Sequence, residues 1–200
     1  MKIRKATEED INTIVYIHTQ AFKGFFLTSL GPGFLKLLYQ SFLRREHGIL
    51  RVATDRNENI VGFAAGTTKP EVFFSKLRKQ KSLKFLLKIA PSIVKNPKPV
   101  LIKLYYAVFY RGDNPKKLTD IALLSSIAVH PNKSGKSIGK RLLCDFEEQV
   151  QKKGNNALYL TTDKSNNDKV IIFYQNAGYQ IESEFLQPGN RSMLRLIKKL

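Results

Sequence analysis

The sequence predicts one mixed α/β domain, and three observations carry that expectation. The apolar residues switch along the chain between a helical period and a strand-like one. A hairpin pattern, Ile49 to Thr54 and Ile60 to Gly66 around a turn at Arg56 to Asn59, lies between helical stretches. Downstream, a near-continuous apolar run from Ile121 to Val129 leads through a polar loop into a long amphipathic helix. The length of 200 residues suits one domain, or one domain with an insertion. With 42% hydrophobic residues, a chain of this size can bury roughly 70% of its unfolded surface.

The elements follow in order. Lys2 to Ala6 alternates like a short strand. Thr7 with Asp10 three residues on resembles a capping box, with Glu8, Glu9 and Asp10 at the favourable end of a helix dipole. Ile11, Ile14, Val15, Ile17 and His18 then recur at helical spacing as far as Phe22. Gly24 to Leu30 reads as aromatic and irregular, and Gly31-Pro32-Gly33 as a break. Phe34, Leu35, Leu37, Leu38, Phe42 and Leu43 form a second helical pattern before the hairpin. After the apolar run and the loop Asn132 to Gly139, a helix carries Leu142, Leu143, Phe146 and Val150 on one face and closes at Gly154. Ala157 to Thr162 reads as a strand, and Asp168 to Asn176 as a helix with Gly178 at a left-handed cap. Tyr179 to Phe185 and Met193 to Ile197 read as the last two strands.

Composition narrows the function classes. One cysteine, Cys144, excludes an intrachain disulfide framework and suits a reducing, cytoplasmic setting. Its place near the apolar face of its helix reads as packing. Three scattered histidines, His18, His47 and His130, make no metal spacing, so no metal site is expected. His18 and His47 read as surface or packing residues, and His130 before Pro131 as filling a structural place. The N-terminus lacks the apolar core of a signal peptide, and no run approaches the roughly 18 apolar residues of a membrane span. The net charge of +18 attracts anions without choosing among them. Thirteen Lys/Arg against two Asp/Glu between Lys69 and Leu118 supply +11 of it.

That basic stretch, too apolar for a disordered tail, reads as a folded, mostly helical insertion. It would cover a sheet edge, wall an acceptor pocket with Phe73, Phe74, Tyr105, Tyr106 and Tyr110, or dock on a membrane surface. As a pocket wall it would also offer Lys or Arg to an anionic group on the acceptor. Nucleic acid ranks last as a partner, because no reading motif accompanies the charge.

The chemistry-bearing unit is strand, loop, helix, from Leu123 to Leu143. A loop of small residues entering a helix turns unpaired backbone N–H groups and the helix dipole toward one point, which favours phosphate. Lys133, Lys136, Lys140 and Arg141 add positive charge there. Neither a Walker pattern nor a dinucleotide fingerprint is present.

Val129-His130-Pro131 followed by Ser134, Ser137 and Gly139 resembles the acetyl-CoA-binding motif of the GNAT superfamily: Val-x-Pro, then Gln/Arg-x-x-Gly-x-Gly/Ala. Ser134 and Ser137 depart from its Gln/Arg and first Gly. Asn167, then Val170, Phe173-Tyr174 and Gly178-Tyr179, resembles the family's Asn-x-x-Ala-x-x-Phe-Tyr-x-x-x-Gly-Phe/Tyr segment, with Val170 in place of Ala. Ile3 to Thr7 with Asp10 is similar to its first strand and helix.

The resemblance implies a single acetyltransferase domain over 1–200, with an insertion at about 69–118. Its sheet would be mostly antiparallel with one splayed parallel pair and flanking helices. It implies an N-acetyltransferase that uses acetyl-CoA and no metal. The cofactor would be held by Ile127, Ala128, Val129, Lys133, Ser134, Gly135, Lys136, Ser137, Ile138, Gly139, Lys140, Asn167, Phe173 and Tyr174. The pantetheine arm would pair with backbone around Ile127 and Val129, and Tyr174 would protonate the departing thiolate. A phenol with a pKa near 10 suits that acid role.

Many relatives carry a Glu where this chain reads Leu123-Leu124-Ser125-Ser126. A water chain ending at backbone carbonyls, Ser125 or Ser126 would then take the amine's proton. The acceptor would be a primary amine on a small molecule or peptide, attacking directly in a ternary complex. Phe25 to Gly31 falls where relatives build the acceptor side, and it resembles acetyltransferases encoded with polysaccharide genes, which implies an amino sugar. A homodimer stays open. So does a non-catalytic CoA- or polyanion-binding or membrane-tethering module.

Overall fold

The computed structural model describes residues 1–77, 121–133, 135, 137–187 and 190–200. Strand β1 (Lys2–Lys5) leads into helix α1 (Ile11–Ala21). The five apolar-face positions named above, Ile11, Ile14, Val15, Ile17 and His18, are all buried. The capping box is only half formed. Asp10 accepts from the Thr7 N–H at 2.7 Å, but α1 starts at Ile11 with no acid in its first turn and no side-chain cap. Asp10 is instead drawn to Arg4, which donates to both carboxylate oxygens at 2.6 and 2.9 Å and holds its pKa below the usual range. That pair fastens β1 to the start of α1.

The stretch read as irregular contains one helical turn, α2 (Phe26–Ser29). Helix α3 (Pro32–Arg44) follows, with Pro32 at its first position, where a missing N–H costs nothing. The hairpin forms as expected, from β2 (Gly48–Thr54) and β3 (Ile60–Thr67). Residues 70–77 are helical, and residues 78–120 lie outside the described residues. The expectations placed on Tyr105, Tyr106 and Tyr110 lie there too. Phe73 belongs to the core. Its ring is 1% exposed and stacks on Phe42 at 4.6 Å, because the end of β3 returns the chain beneath α3.

The second half runs β4 (Ala122–Val129), a 3-10 turn (Pro131–Lys133), α4 (Ile138–Lys152), β5 (Ala157–Asp163), α5 (Asp168–Asn176), β6 (Gln180–Gln187) and β7 (Arg191–Lys199). Gly178 has φ +91°, a left-handed conformation that lets the chain leave α5 and enter β6. Cys144 is exposed, not packed against the apolar face. At about 100° per residue it turns away from the buried stripe of Leu142, Leu143, Phe146 and Val150.

The strands form one seven-stranded sheet in the order β1-β2-β3-β4-β5-β7-β6. Every pairing is antiparallel except β4 with β5. Alternating side chains divide the core between the two faces. Leu50, Val52, Phe63 and Ala65 pack against α1 and α3 on one face. Ile49, Ala53, Val61 and Ala64 pack with Leu142, Phe146 and Val150 of α4 on the other. Each fully buried aliphatic or aromatic side chain contributes about 1.5–3 kcal/mol relative to exposure.

Candidate active site

The parallel pair is the site's foundation, because it hardly pairs. Only Ala122 with Leu158 and Leu123 with Tyr159 are in register. The strands then separate, although β4 continues to Val129 and β5 to Asp163. The separation starts beside a β-bulge. Ala65 of β3 faces Ser126 and Gly66 faces Leu124, so Ser125 is the extra residue. A bulge bends its strand and reverses which side chains face which way. Gly66 makes room for it, since a Cβ there would lie 2.0 Å from the Leu123 carbonyl oxygen and 2.6 Å from the Phe146 ring.

The bulge sorts the residues of β4. Ala122 and Leu124 join the core under α4, whereas Ala128 joins the core under α1 and α3. Ile127 and Val129, half-buried, pack against the α4 side. Beyond Leu123, no strand among the described residues pairs with the edge of β4 that faces β5. A row of backbone N–H and C=O groups is therefore available to an extended polar chain.

The N-terminus of α4 closes one end of this gap. Ser137, its N-cap, sits in the left-handed region at φ 55° and makes no side-chain cap hydrogen bond. The first backbone N–H groups of the helix thus keep their capacity for an anion. Gly135 (φ +83°) and Ser137 are exposed, Ile138 is buried, and Lys140 is exposed. Ser134 and Lys136 lie outside the described residues. Lys133 is 3.9 Å from Asp55 on the surface.

At Gly139 three elements meet: a Cβ there would lie 3.7 Å from the Phe173 ring of α5 and 3.9 Å from Val129 Cγ2 of β4. A left-handed serine costs roughly 1–2 kcal/mol that glycine does not pay. Ser137→Gly is therefore expected to raise unfolding stability by about 1 kcal/mol, measured in urea.

Helix α5 closes the other side. Asn167 Nδ2 donates to Thr162 Oγ1 at 2.7 Å and to the Asp163 carbonyl at 2.8 Å, clamping the start of α5 to the diverging end of β5. Tyr174, 6% exposed, shares its core with Ile138 and Leu160 and lies edge-on to Phe173 and Tyr179. Burial pushes its phenol pKa well up, so it stays protonated at neutral pH. His130 takes the structural place expected for it. Its N–H donates to the Val61 carbonyl, its Nδ1 accepts from the Asn132 N–H, and its ring stacks on Tyr16.

Two groupings had no local signature in the sequence. At the far end of β5, Asp163 is ion-paired with Arg191, whose guanidinium lies 5.2 Å from the centre of the Phe25 ring. The segment between α1 and α2 thereby reaches the β6–β7 hairpin. On the α1/α3 face, His18 Nδ1 lies 2.6 Å from the Tyr39 hydroxyl, which faces the Ser126 side chain. Each grouping joins residues distant in sequence, so no short motif could have announced it.

The sequence matches the family model described as "Acetyltransferase (GNAT) family" over residues 11–179. The chain belongs to the GNAT acetyltransferase family. No curated protein matches it in sequence. The fold is that of solved GNAT proteins at low identity. A ribosomal-protein-alanine N-acetyltransferase from Brucella melitensis is 18% identical, with 100% of both chains covered and a TM-score of 0.66. YncA, a putative acetyltransferase from Salmonella typhimurium solved with acetyl-CoA, is 14% identical, covering 100% of this chain and 93% of that one, TM-score 0.61. The PaiA N-acetyltransferase from Thermoplasma acidophilum, solved with coenzyme A, is 17% identical, covering 100% and 98%, TM-score 0.57.

This GNAT protein is thus an acyltransferase with acetyl-CoA as its donor. The residues present fit that donor: an unpaired strand edge for an amide-bearing arm, and an uncapped helix N-terminus for phosphates. No group of three or more His, Cys, Asp or Glu among the described residues could hold a metal. No described helix is long and apolar enough to cross a membrane.

Proposed function

We propose that this GNAT protein transfers an acetyl group from acetyl-CoA to a primary amine by direct attack in a ternary complex. The early parting of β4 from β5 carries the reading, because it exposes a strand edge between two helix N-termini. The backbone of Ile127 to Val129 would hold the pantetheine arm. Gly135, Ser137, Ile138, Gly139 and Lys140 would hold the pyrophosphate, with Lys133, Ser134 and Lys136 around them. Asn167 positions the start of α5, and Phe173 supports Gly139 from the side.

When bound, acetyl-CoA supplies the activated acetyl group. In the transfer, the new N–C bond forms as the C–S bond breaks. The amine gives one proton to water, and Tyr174 gives one to the departing sulfur and is reprotonated from water. Cys144 lies seven residues along α4 from Ser137, about 10 Å at 1.5 Å per residue, which favours direct transfer over an acyl-cysteine.

The acceptor is a primary amine of a peptide or small molecule. Phe25, beneath Arg191, stands on the acceptor side of the gap. The Brucella neighbour is named for acetylating an alanine of a ribosomal protein, so a peptide N-terminus belongs in the panel beside an amino sugar.

Calorimetric titration with acetyl-CoA tests the donor site, with tripolyphosphate as the control, because a +18 protein binds polyanions at low salt. One-to-one binding that survives moderate salt and exceeds the control is expected. Binding no tighter than tripolyphosphate would reduce the loop to a basic surface and favour a tethering role. Transfer is then screened with an alanine-starting peptide, an N-blocked lysine peptide, glucosamine and spermidine.

A further inference from the structure

His18 is the least economical residue in the core. It is 2% exposed, among the rings of Phe22, Tyr39 and Phe63 at centroid distances of 4.7, 5.7 and 6.5 Å. Its Nε2 is buried with no hydrogen-bond partner among the described residues. Buried polar atoms are rarely left this way, and a leucine there would remove the cost. Packing alone therefore does not account for a histidine.

What the histidine does supply is an anchor for Tyr39. The Tyr39 hydroxyl, fully buried, lies 2.6 Å from His18 Nδ1 and faces the Ser126 side chain. A phenol carries one proton. When Tyr39 donates to Nδ1, Ser126 can donate to Tyr39, and the lone pairs of the Ser126 oxygen are left as acceptors. The chain runs outward from the core, His18 2% exposed, Tyr39 0% and Ser126 8%. It ends on the first residue past the bulge, where β4 has already left β5.

Ser126 also sits on the face opposite α4. The helix N-terminus suited to phosphates belongs to the α4 side, and the α1/α3 side carries Phe22 and, beyond it, Phe25 under Arg191. A donor entering from the α4 side and an amine entering from the α1/α3 side meet at the open edge of β4.

We propose that Ser126, oriented by Tyr39 and His18, accepts a hydrogen bond from the acceptor amine and turns its lone pair toward the acetyl group. Ser126 would touch the substrate, while Tyr39 and His18 are positioning residues that act through it. The inference rests on the acetyltransferase reading above. The chain orients the amine and does not store its proton. Burial pushes the His18 pKa down to about 4, so an imidazolium among those rings would be a poor resting place for it.

The test compares Ser126→Ala, Tyr39→Phe, the double variant and His18→Leu with the wild type. The readouts are steady-state kinetics with the best acceptor of the four-amine panel, acetyl-CoA Kd by calorimetry, and the thermal midpoint. Ser126→Ala and Tyr39→Phe are each expected to lower kcat/KM for the acceptor about tenfold, mainly through its KM, with acetyl-CoA Kd unchanged. The double variant is expected to be no worse than either single one. His18→Leu is expected to lose the same activity while its midpoint holds or rises.

Unchanged acceptor kinetics in Ser126→Ala, beside an active wild type, would overturn the inference alone. So would activity that simply follows the thermal midpoint across the variants. A wild type that binds acetyl-CoA no better than tripolyphosphate, or acetylates none of the amines, would overturn the functional reading and this inference with it.

Discussion

Gly139→Glu is expected to abolish measurable acetyl-CoA binding while the protein still folds. Gly139 is the second residue of α4, and its missing side chain faces Phe173 and Val129 at ordinary contact distance. A single methyl fits there, so Gly139→Ala serves as the folded control and is expected to retain binding. A glutamate overfills the wedge and brings a carboxylate to the N–H groups meant for phosphate. The negative charge suits the helix dipole, so α4 itself is not weakened. Competition and repulsion together predict a loss of about a hundredfold or more in Kd, which is roughly 3 kcal/mol. Calorimetry with acetyl-CoA measures it, and circular dichroism confirms the fold. Undiminished affinity would move the donor site away from the start of α4.

Tyr174→Phe carries the second large effect. The phenol is buried against Ile138, Leu160 and Tyr179, and removing one oxygen leaves that packing intact. The acetyl-CoA Kd is therefore expected to stay within about twofold of wild type. The turnover number is expected to fall about a hundredfold, the lower range for loss of a positioned acid. Burial raises the phenol's pKa above its free value, so the protonated form persists through the neutral range and beyond. An acid of that kind gives kcat no falling alkaline limb below about pH 10. A variant with wild-type kcat would remove Tyr174 from the proton transfer, and an alkaline limb that survives in Tyr174→Phe would belong to another group.

The two experiments also separate the enzyme from the tethering alternative. A tether would keep its anion binding in Gly139→Glu, because its charge is spread over the surface. An enzyme loses the donor in Gly139→Glu and turnover in Tyr174→Phe.

Local periodicity and the two motif segments were enough to place the β2–β3 hairpin, α4 and α5 within a residue or two, while α1 begins only at Ile11, past the Thr7–Asp10 stretch read as its start. They were enough because those signals are local: amphipathic spacing, small residues before a helix, a glycine at its cap. The small-residue start of α4 and the places of Asn167 and Tyr174 at and on α5 were legible for the same reason. Cys144 was misread because closeness in sequence to an apolar stripe is not closeness on the helix surface. The stacking of Phe73 on Phe42 was not legible, because Phe42 lies about thirty residues away and meets it only through the return of β3.

What only the tertiary structure decided is how the sheet opens and what faces the opening. The bulge at Ser125 depends on the register of β3 against β4, and the room for it depends on Gly66 beneath Phe146. The contact of Arg191 with Phe25 and the chain from His18 through Tyr39 to Ser126 depend on α1, α3, β4 and the β6–β7 hairpin arriving together. Sequence alone determined the family and the strand–loop–helix and α5 segments proposed to hold the donor, because backbone geometry and short-range spacing build them. The proposed acceptor end required the folded molecule, because its side chains are brought together across the whole chain.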